Sequence, residues 1–373
     1  MTEFEGPLSI RTEELPRLYE LLNSVFRQQG GDMSQGYPRH IGENNLANIR
    51  VIKQKGKIVS HVATSIRPVT LGGIHTRVAG IGAVATAPSA RGQGFASILM
   101  GDAVRRSIEQ GADIMLISGD ENIYLRMNAT CCGRFSEVRV SRKQLGNSEL
   151  ISIKPATADD LDAIIPLRQQ LPIRYLFPRE DLHALLQCQL AMDKPVDWWV
   201  AQYGGKVAGW AVVHQKENVL YLIDWAGSPD VLEQTAGLLA DQYQTDTFVY
   251  TAPHENMLPI QWLPLIHETR TFDGTVLILD ARRLLERAQE FLVERAGEET
   301  CNRLEINAEE QEVEFFWDEQ RISFDNSEEL ALLFFGHPER NILNEKLKPE
   351  SELYQVLQGI FPMPLVWYGI GYV

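Results

Sequence analysis

VAGIGAVATAPSARGQGFASILM, residues Val78 to Met100, is the stretch from which the rest of the chain is read. Val78 to Thr86 is a run of small and β-branched residues and predicts a strand. It meets Arg91-Gly92-Gln93-Gly94-Phe95-Ala96, which opens a helix. Glycine lets backbone N–H groups come close to a phosphate, and a helix N-terminus favours negative charge through its free donors and dipole. Arg91 adds a charge-assisted partner. A glycine-rich turn alone is equally a tight turn. Competing nucleotide motifs fit badly: no Gly-Lys-Ser/Thr follows, and the glycines do not form G-x-G-x-x-G after a first strand.

Outward from this stretch, RVIKQKGKIVSHVATSIRPVTLGGIHTRVAGIGAVATAP predicts three strands with turns at Lys55-Gly56-Lys57 and Leu71-Gly72-Gly73. Before them, Thr12 is placed to cap a helix carrying Leu15, Leu18, Leu22, Val25 and Phe26. After them come a helix with Ile98, Leu99, Val104 and Ile108 on its buried face, a short buried strand in ADIMLIS, and an edge-like strand in GRFSEVRVSR. Near Leu150 the pattern restarts. ISIKPATADDLDAIIPLRQQL repeats the shape of LSIRTEELPRLYELLNSVF, and WWVAQYGGKVAGWAVVHQ echoes IRVIKQKGKIVSHVATS, as in a diverged duplication. From about Thr271 the register changes to a strand and helix, a meander, and a helix with Ser327 as its expected N-cap. The expected partition is 1–148, 149–270 and 271–373, in an α+β chain.

The segment Arg91 to Ala96 resembles the R/Q-x-x-G-x-G/A signature of the GCN5-related N-acetyltransferases (GNAT), in its expected place after the central strand. The resemblance implies a GNAT fold with a mixed sheet and acetyl-CoA as co-substrate. It assigns Arg91, Gly92, Gln93, Gly94, Phe95 and Ala96 to the pyrophosphate, and the backbone of Val84, Ala85 and Thr86 to the pantetheine arm and acetyl group. Asp113 to Ser118 would splay away to admit that arm. Tyr124, in ENIYLRMNATCCGRF, stands where the family has a tyrosine near the CoA sulfur. Asn128 departs from the family's usual glycine, and Cys131-Cys132 is not a family feature. The layout as a whole is similar to the enhanced-intracellular-survival (Eis) acetyltransferases. These have an active GNAT domain, a second GNAT-like repeat without the loop, and a small sterol-carrier-like C-terminal domain. In the second repeat, Trp225-Ala226-Gly227-Ser228-Pro229-Asp230 replaces the loop, with no basic residue and no second glycine.

Acetyl transfer to an amine requires deprotonation of a group with a pKa near ~10, stabilisation of an oxyanion, and departure of a thiolate with a pKa of roughly 8.5. Tyr124 is the candidate acid. The strand Ile74 to Ala87 contains no carboxylate, so a base on the central strand is absent. The Eis resemblance implies instead the chain's own terminal carboxylate, here on Val373, at the end of the uncharged tail PMPLVWYGIGYV. His61 and His75 are candidate relays, and Asp120 and Glu121 are candidate contacts for the amine. Trp198, Trp199, Tyr175 and Phe177 read as core.

Composition sets the outer limits. At 373 residues the chain is long enough for two or three domains, and 44% hydrophobic with 23% charged residues is ordinary for a globular protein. A net charge of −15 opposes a phosphate backbone, so no nucleic-acid partner is expected, and it suits a small cationic amine. No run approaches the ~20 apolar residues of a membrane span, and the N-terminal residues do not read as a signal peptide. The four cysteines lack metal-ligand or disulfide spacing, so no metal and a reduced cytoplasmic location are expected. The expected function is acetyl-CoA-dependent N-acetyltransfer to a primary amine, such as a polyamine, an aminoglycoside-like acceptor or a protein lysine, in a chain that the resemblance implies is a homo-oligomer. The alternative is a non-catalytic acyl-CoA- or lipid-binding carrier.

Overall fold

The computed structural model describes residues 3–37, 39–146 and 149–372. The described residues build two seven-stranded mixed sheets, one three-stranded antiparallel sheet and one two-stranded antiparallel sheet. The first sheet runs Glu5–Ser9, Ile49–Gln54, Lys57–Leu71, Ile74–Thr86, Ile114–Ile117 and Thr275–Ile278, and Ile173–Tyr175 joins the far end of Lys57–Leu71. Both expected turns form. Lys55 and Gly56 take positive φ (49° and 73°), the geometry a two-residue hairpin requires.

The second sheet runs Ile266–Arg270, Phe135–Ser141, Thr247–Ala252, Val219–Gly227, Lys206–Lys216, Asp197–Tyr203 and Ile151–Pro155. Phe135–Ser141 is therefore an interior strand of this sheet and not an edge strand closing the first segment. Its charged residues suggested exposure, but Glu137 is buried and paired to Arg139 at 2.9 Å and Arg270 at 3.1 Å. The corresponding place in the first sheet, beside Ile114–Ile117, is taken by Thr275–Ile278 from the C-terminal third. The two sheets thus draw strands from across positions 148/149 and 270/271, where Ser148 lies outside the described residues.

The duplication read from the sequence recurs in the sheet centres. Val78–Ile81 pair in parallel with Ile114–Ile117, after which the central strand continues to Thr86 without a neighbour on that side. Val219–Leu222 pair in parallel with Thr247–Tyr250, and that strand likewise continues to Gly227. Both strands also bulge at this point. Gly82 and Ala85 oppose Ala63 and His61, leaving an extra residue at Ala83-Val84; Leu222 and Asp224 oppose Val213 and Val212, leaving Ile223 extra.

Helix faces and caps depart from the sequence reading in three places. Arg11, not Thr12, precedes the first turn, and its N–H donates to Glu14 at 3.1 Å, while Leu15, Leu18, Leu21 and Leu22 form the buried face. In Phe95–Glu109 the buried side is Phe95, Leu99, Met100, Ala103 and Ser107, and Ile98 faces solvent. Asn326, not Ser327, caps Ser327–Phe335, accepting from the Glu329 N–H at 3.0 Å. The Ser327 hydroxyl is buried and accepts the Ile278 N–H at 2.7 Å instead, so a strand of the first sheet claims it.

Candidate active site

Gly92 and Gly94 both take left-handed φ, 76° and 80°, and a Cβ on either would meet nothing within 4 Å. Gly94 immediately precedes the helix Phe95–Glu109. The turn thus presents open backbone at a helix N-terminus, the geometry a pyrophosphate needs. Arg91 is exposed beside it, its Nε donating to Thr86 O at 3.4 Å. Gln93 is exposed and accepts from Gln54 at 3.0 Å. Phe95 turns its ring inward onto Phe4, with ring centres 5.1 Å apart, so only its backbone is available to a ligand.

Beside the loop, the gap between Gly82–Thr86 and the end of Ile114–Ile117 opens into a cleft of about 620 Å³. Its walls include Gly82, Ala83, Val84, Thr86, Arg91 and Ala96 on one side and Ser118 to Tyr124 on the other. The Ala85 side chain points away into the core. Ala83 has φ 53°, and its carbonyl accepts a 2.8 Å bond from His61 Nδ1. His61 is buried and held neutral, its pKa pushed down to about 4 by desolvation, so Nδ1 carries the hydrogen. It props the bulge through this bond. His75 is exposed, near the turn at the opposite end of its strand, and bonds Thr70 at 3.3 Å, away from the cleft.

Tyr124 sits in a single helical turn, Asn122–Leu125, closed by Asn128 at φ 60°. Asparagine tolerates this left-handed conformation better than other non-glycine residues, which explains its presence where glycine is usual. Burial, and secondarily the Glu121 carboxylate, push the Tyr124 hydroxyl up to about 12, so it stays protonated at neutral pH. Asp120 and Glu121 both line the cleft. Trp198 and Tyr175 are buried, and Trp199 and Phe177 are partly so; Tyr175 stacks on Phe177.

Several cleft residues were not legible as such. Tyr372 reaches the cleft from the C-terminal tail and is hydrogen-bonded to Ser118. Tyr37, Arg27 and Asp193 meet at its mouth, with Arg27 and Asp193 ion-paired and Tyr37 bonded to both. His40 stands in the wall, neutral, with its pKa pushed to about 3 by burial. The uncharged aromatic run Trp367-Tyr368-Gly369-Ile370-Gly371-Tyr372 was the one signal in the sequence. Val373 lies outside the described residues. Among the described residues, no cluster of three or more His, Cys, Asp or Glu is placed to hold a metal ion.

Residues 8–131 match a family model described as an acetyltransferase (GNAT) domain. Residues 8–131 therefore carry a GNAT domain. The likeness of fold to solved structures extends over the whole length. A probable N-acyltransferase from Enterococcus faecalis V583 superposes with a TM-score of 0.69 at 14% identity, covering 98% of each chain. A GCN5-related N-acetyltransferase from Kribbella flavida gives 0.67 at 14% identity over 100% of each. Eis1 from Mycobacterium abscessus gives 0.63 at 12% identity, over 98% of this chain and 99% of that one. No curated protein matches the sequence. No helix among the described residues is long and apolar enough to cross a membrane.

Proposed function

We propose that this protein is an acetyl-CoA-dependent N-acetyltransferase acting on a primary amine. One observation carries the reading: the two ends of the glycine loop (Arg91 and Ala96), the unpaired strand end, Tyr124 and the tail residue Tyr372 share a single cleft. Backbone N–H groups of Gly92 to Ala96 and the Arg91 guanidinium hold the pyrophosphate, and Val84 to Thr86 line the pantetheine arm through their backbone. Acetyl-CoA supplies the activated thioester. The amine nitrogen attacks its carbonyl carbon, N–H groups of the strand end stabilise the oxyanion, and Tyr124 donates its proton to the departing sulfur. The α-carboxylate of Val373 accepts the amine proton through water; the entry of Tyr372 into the cleft supports this role. Asp120 and Glu121 favour a cationic acceptor of the polyamine or aminoglycoside type.

The organisation we propose is a catalytic domain over 1–148, a degenerate GNAT-like domain over 149–270 and a sterol-carrier-like domain over 271–373, with Phe135–Ser141 lent to the second sheet and Thr275–Ile278 to the first. A cytoplasmic setting is supported by four unpaired cysteines. The test is to incubate the protein with acetyl-CoA and a panel of amines and to follow free thiol. Amine-dependent thiol release is expected; tight acyl-CoA binding with no amine-dependent release would favour the carrier reading.

A further inference from the structure

The second sheet carries the same opening as the first, but it is filled. Beyond the parallel pairing of Leu222 with Tyr250, the space beside Ile223, Asp224 and Trp225 is taken by Val366, Trp367 and Gly369 of the C-terminal tail. About 30 Å³ remains there, room for no more than a few water molecules. The fit is polar as well as steric. Asp224 Oδ2 accepts the Ile370 N–H at 3.3 Å and the Arg168 guanidinium at 3.1 Å, and its other oxygen accepts the Trp225 N–H at 2.9 Å. Arg168 is buried, with its guanidinium over the rings of Trp210 and Phe177 at 4.9 Å and 5.2 Å.

The tail also requires glycine at two points. Gly369 takes φ 49°, and a Cβ there would lie 2.8 Å from Asp224 Oδ2. A Cβ on Gly371 would lie 2.6 Å from the Tyr175 ring. From this grip the chain passes Arg39, His40 and Arg67 and delivers Tyr372 to the first cleft.

We infer that the opening in the second sheet is a receptor for the chain's own tail, with Asp224, oriented by Arg168, as the positioning residue that sends Tyr372 into the first cleft. The repeat that lacks the glycine loop thereby serves the repeat that has it. The grip itself is independent of the reaction, and its effect on turnover rests on the acetyltransferase reading above. Two readouts keep these apart.

The full-length variants Asp224→Ala and Gly371→Val are each digested with carboxypeptidase A, with tail loss followed by mass spectrometry, and each is assayed for acetyl transfer. Local release of the tail should raise the trimming rate about tenfold or more in both. A misplaced tail should lower kcat about tenfold or more, with the KM for acetyl-CoA within about twofold of wild type. If Asp224→Ala fails to fold because Arg168 is left unpaired, Gly371→Val decides. Trimming of the wild-type tail as fast as in the variants overturns the grip. Fast trimming with unchanged kcat overturns the positioning role. Should the wild type acetylate no amine at all, the acetyltransferase reading falls, and the trimming rates still decide the grip.

Discussion

Tyr124 is buried against a cleft wall, where its proton is retained by desolvation and by the neighbouring Glu121 charge. Tyr124→Phe should retain CoA affinity and lose roughly 10²–10⁴-fold in kcat, since only the donated proton is removed. Equal kcat with weaker CoA binding would make it a binding residue. At the loop, Arg91→Glu should weaken CoA binding in calorimetric titration by on the order of 1–3 kcal/mol. Gly94→Val should do so too, because it forces a β-branched residue to φ 80° and covers open backbone. The buried imidazoles predict acid sensitivity. His40 and His61 have pKa values lowered to about 3 and about 4, whereas in the unfolded chain each titrates near the usual 6.5. As pH falls from about 6.5 to 4 the unfolded state takes up protons that the folded state refuses, so stability falls in that window. Melting temperature against pH should decline there, and His61→Gln should flatten the slope.

At the scale of elements, the tail separates local from distant causes. Its lack of charge was visible in the sequence; its course depends on the second sheet. Appending two residues after Val373 moves the terminal carboxylate without altering a side chain. Turnover should collapse while CoA affinity and melting temperature stay close to wild type, and unchanged turnover would move the base to Asp120 or Glu121. Helix starts teach the same lesson in reverse. Asn326 and Ser327 are both good capping residues, and which one caps follows from the Ile278 N–H, a donor from distant sequence that needs the Ser327 hydroxyl.

Across the whole molecule, the C-terminal third is fastened to the first sheet through a buried carboxylate. Asp113 is fully buried, accepts from Thr76 at 2.5 Å, and is paired with Arg283 and with Arg287, the latter at 2.8 Å. Asp113→Ala leaves Arg287 without its anion and Arg283 with Asp280 alone, at 2.9 Å, and should cost on the order of 3 kcal/mol, read as a lower denaturation midpoint. The adjoining strand Thr275–Ile278 completes the first sheet, so loosening this anchor should also disturb the cleft wall, where the Thr275 hydroxyl donates to Gly119 O at 2.9 Å.

The loop from Arg91 to Ala96, the three strands before it and the helix after it were determined by the sequence. Their signals are local: glycines that need φ above zero, hairpin turns, and apolar periodicity all act over a few residues. The place of Tyr124 in the cleft was legible only through the family resemblance. Tertiary structure alone decided that Phe135–Ser141 lies inside the second sheet, that Ile98 faces out, and that His75 is remote from the cleft. It likewise brought Tyr37, Asp193 and Tyr372 to the cleft from positions far apart in the chain. Strand pairing and the neutralisation of buried charge depend on partners more than a hundred residues away, such as Thr275–Ile278 for Ile114–Ile117 and Arg270 for Glu137. Alternation within one strand cannot specify which edge will receive it, because the period of two is the same in every sheet.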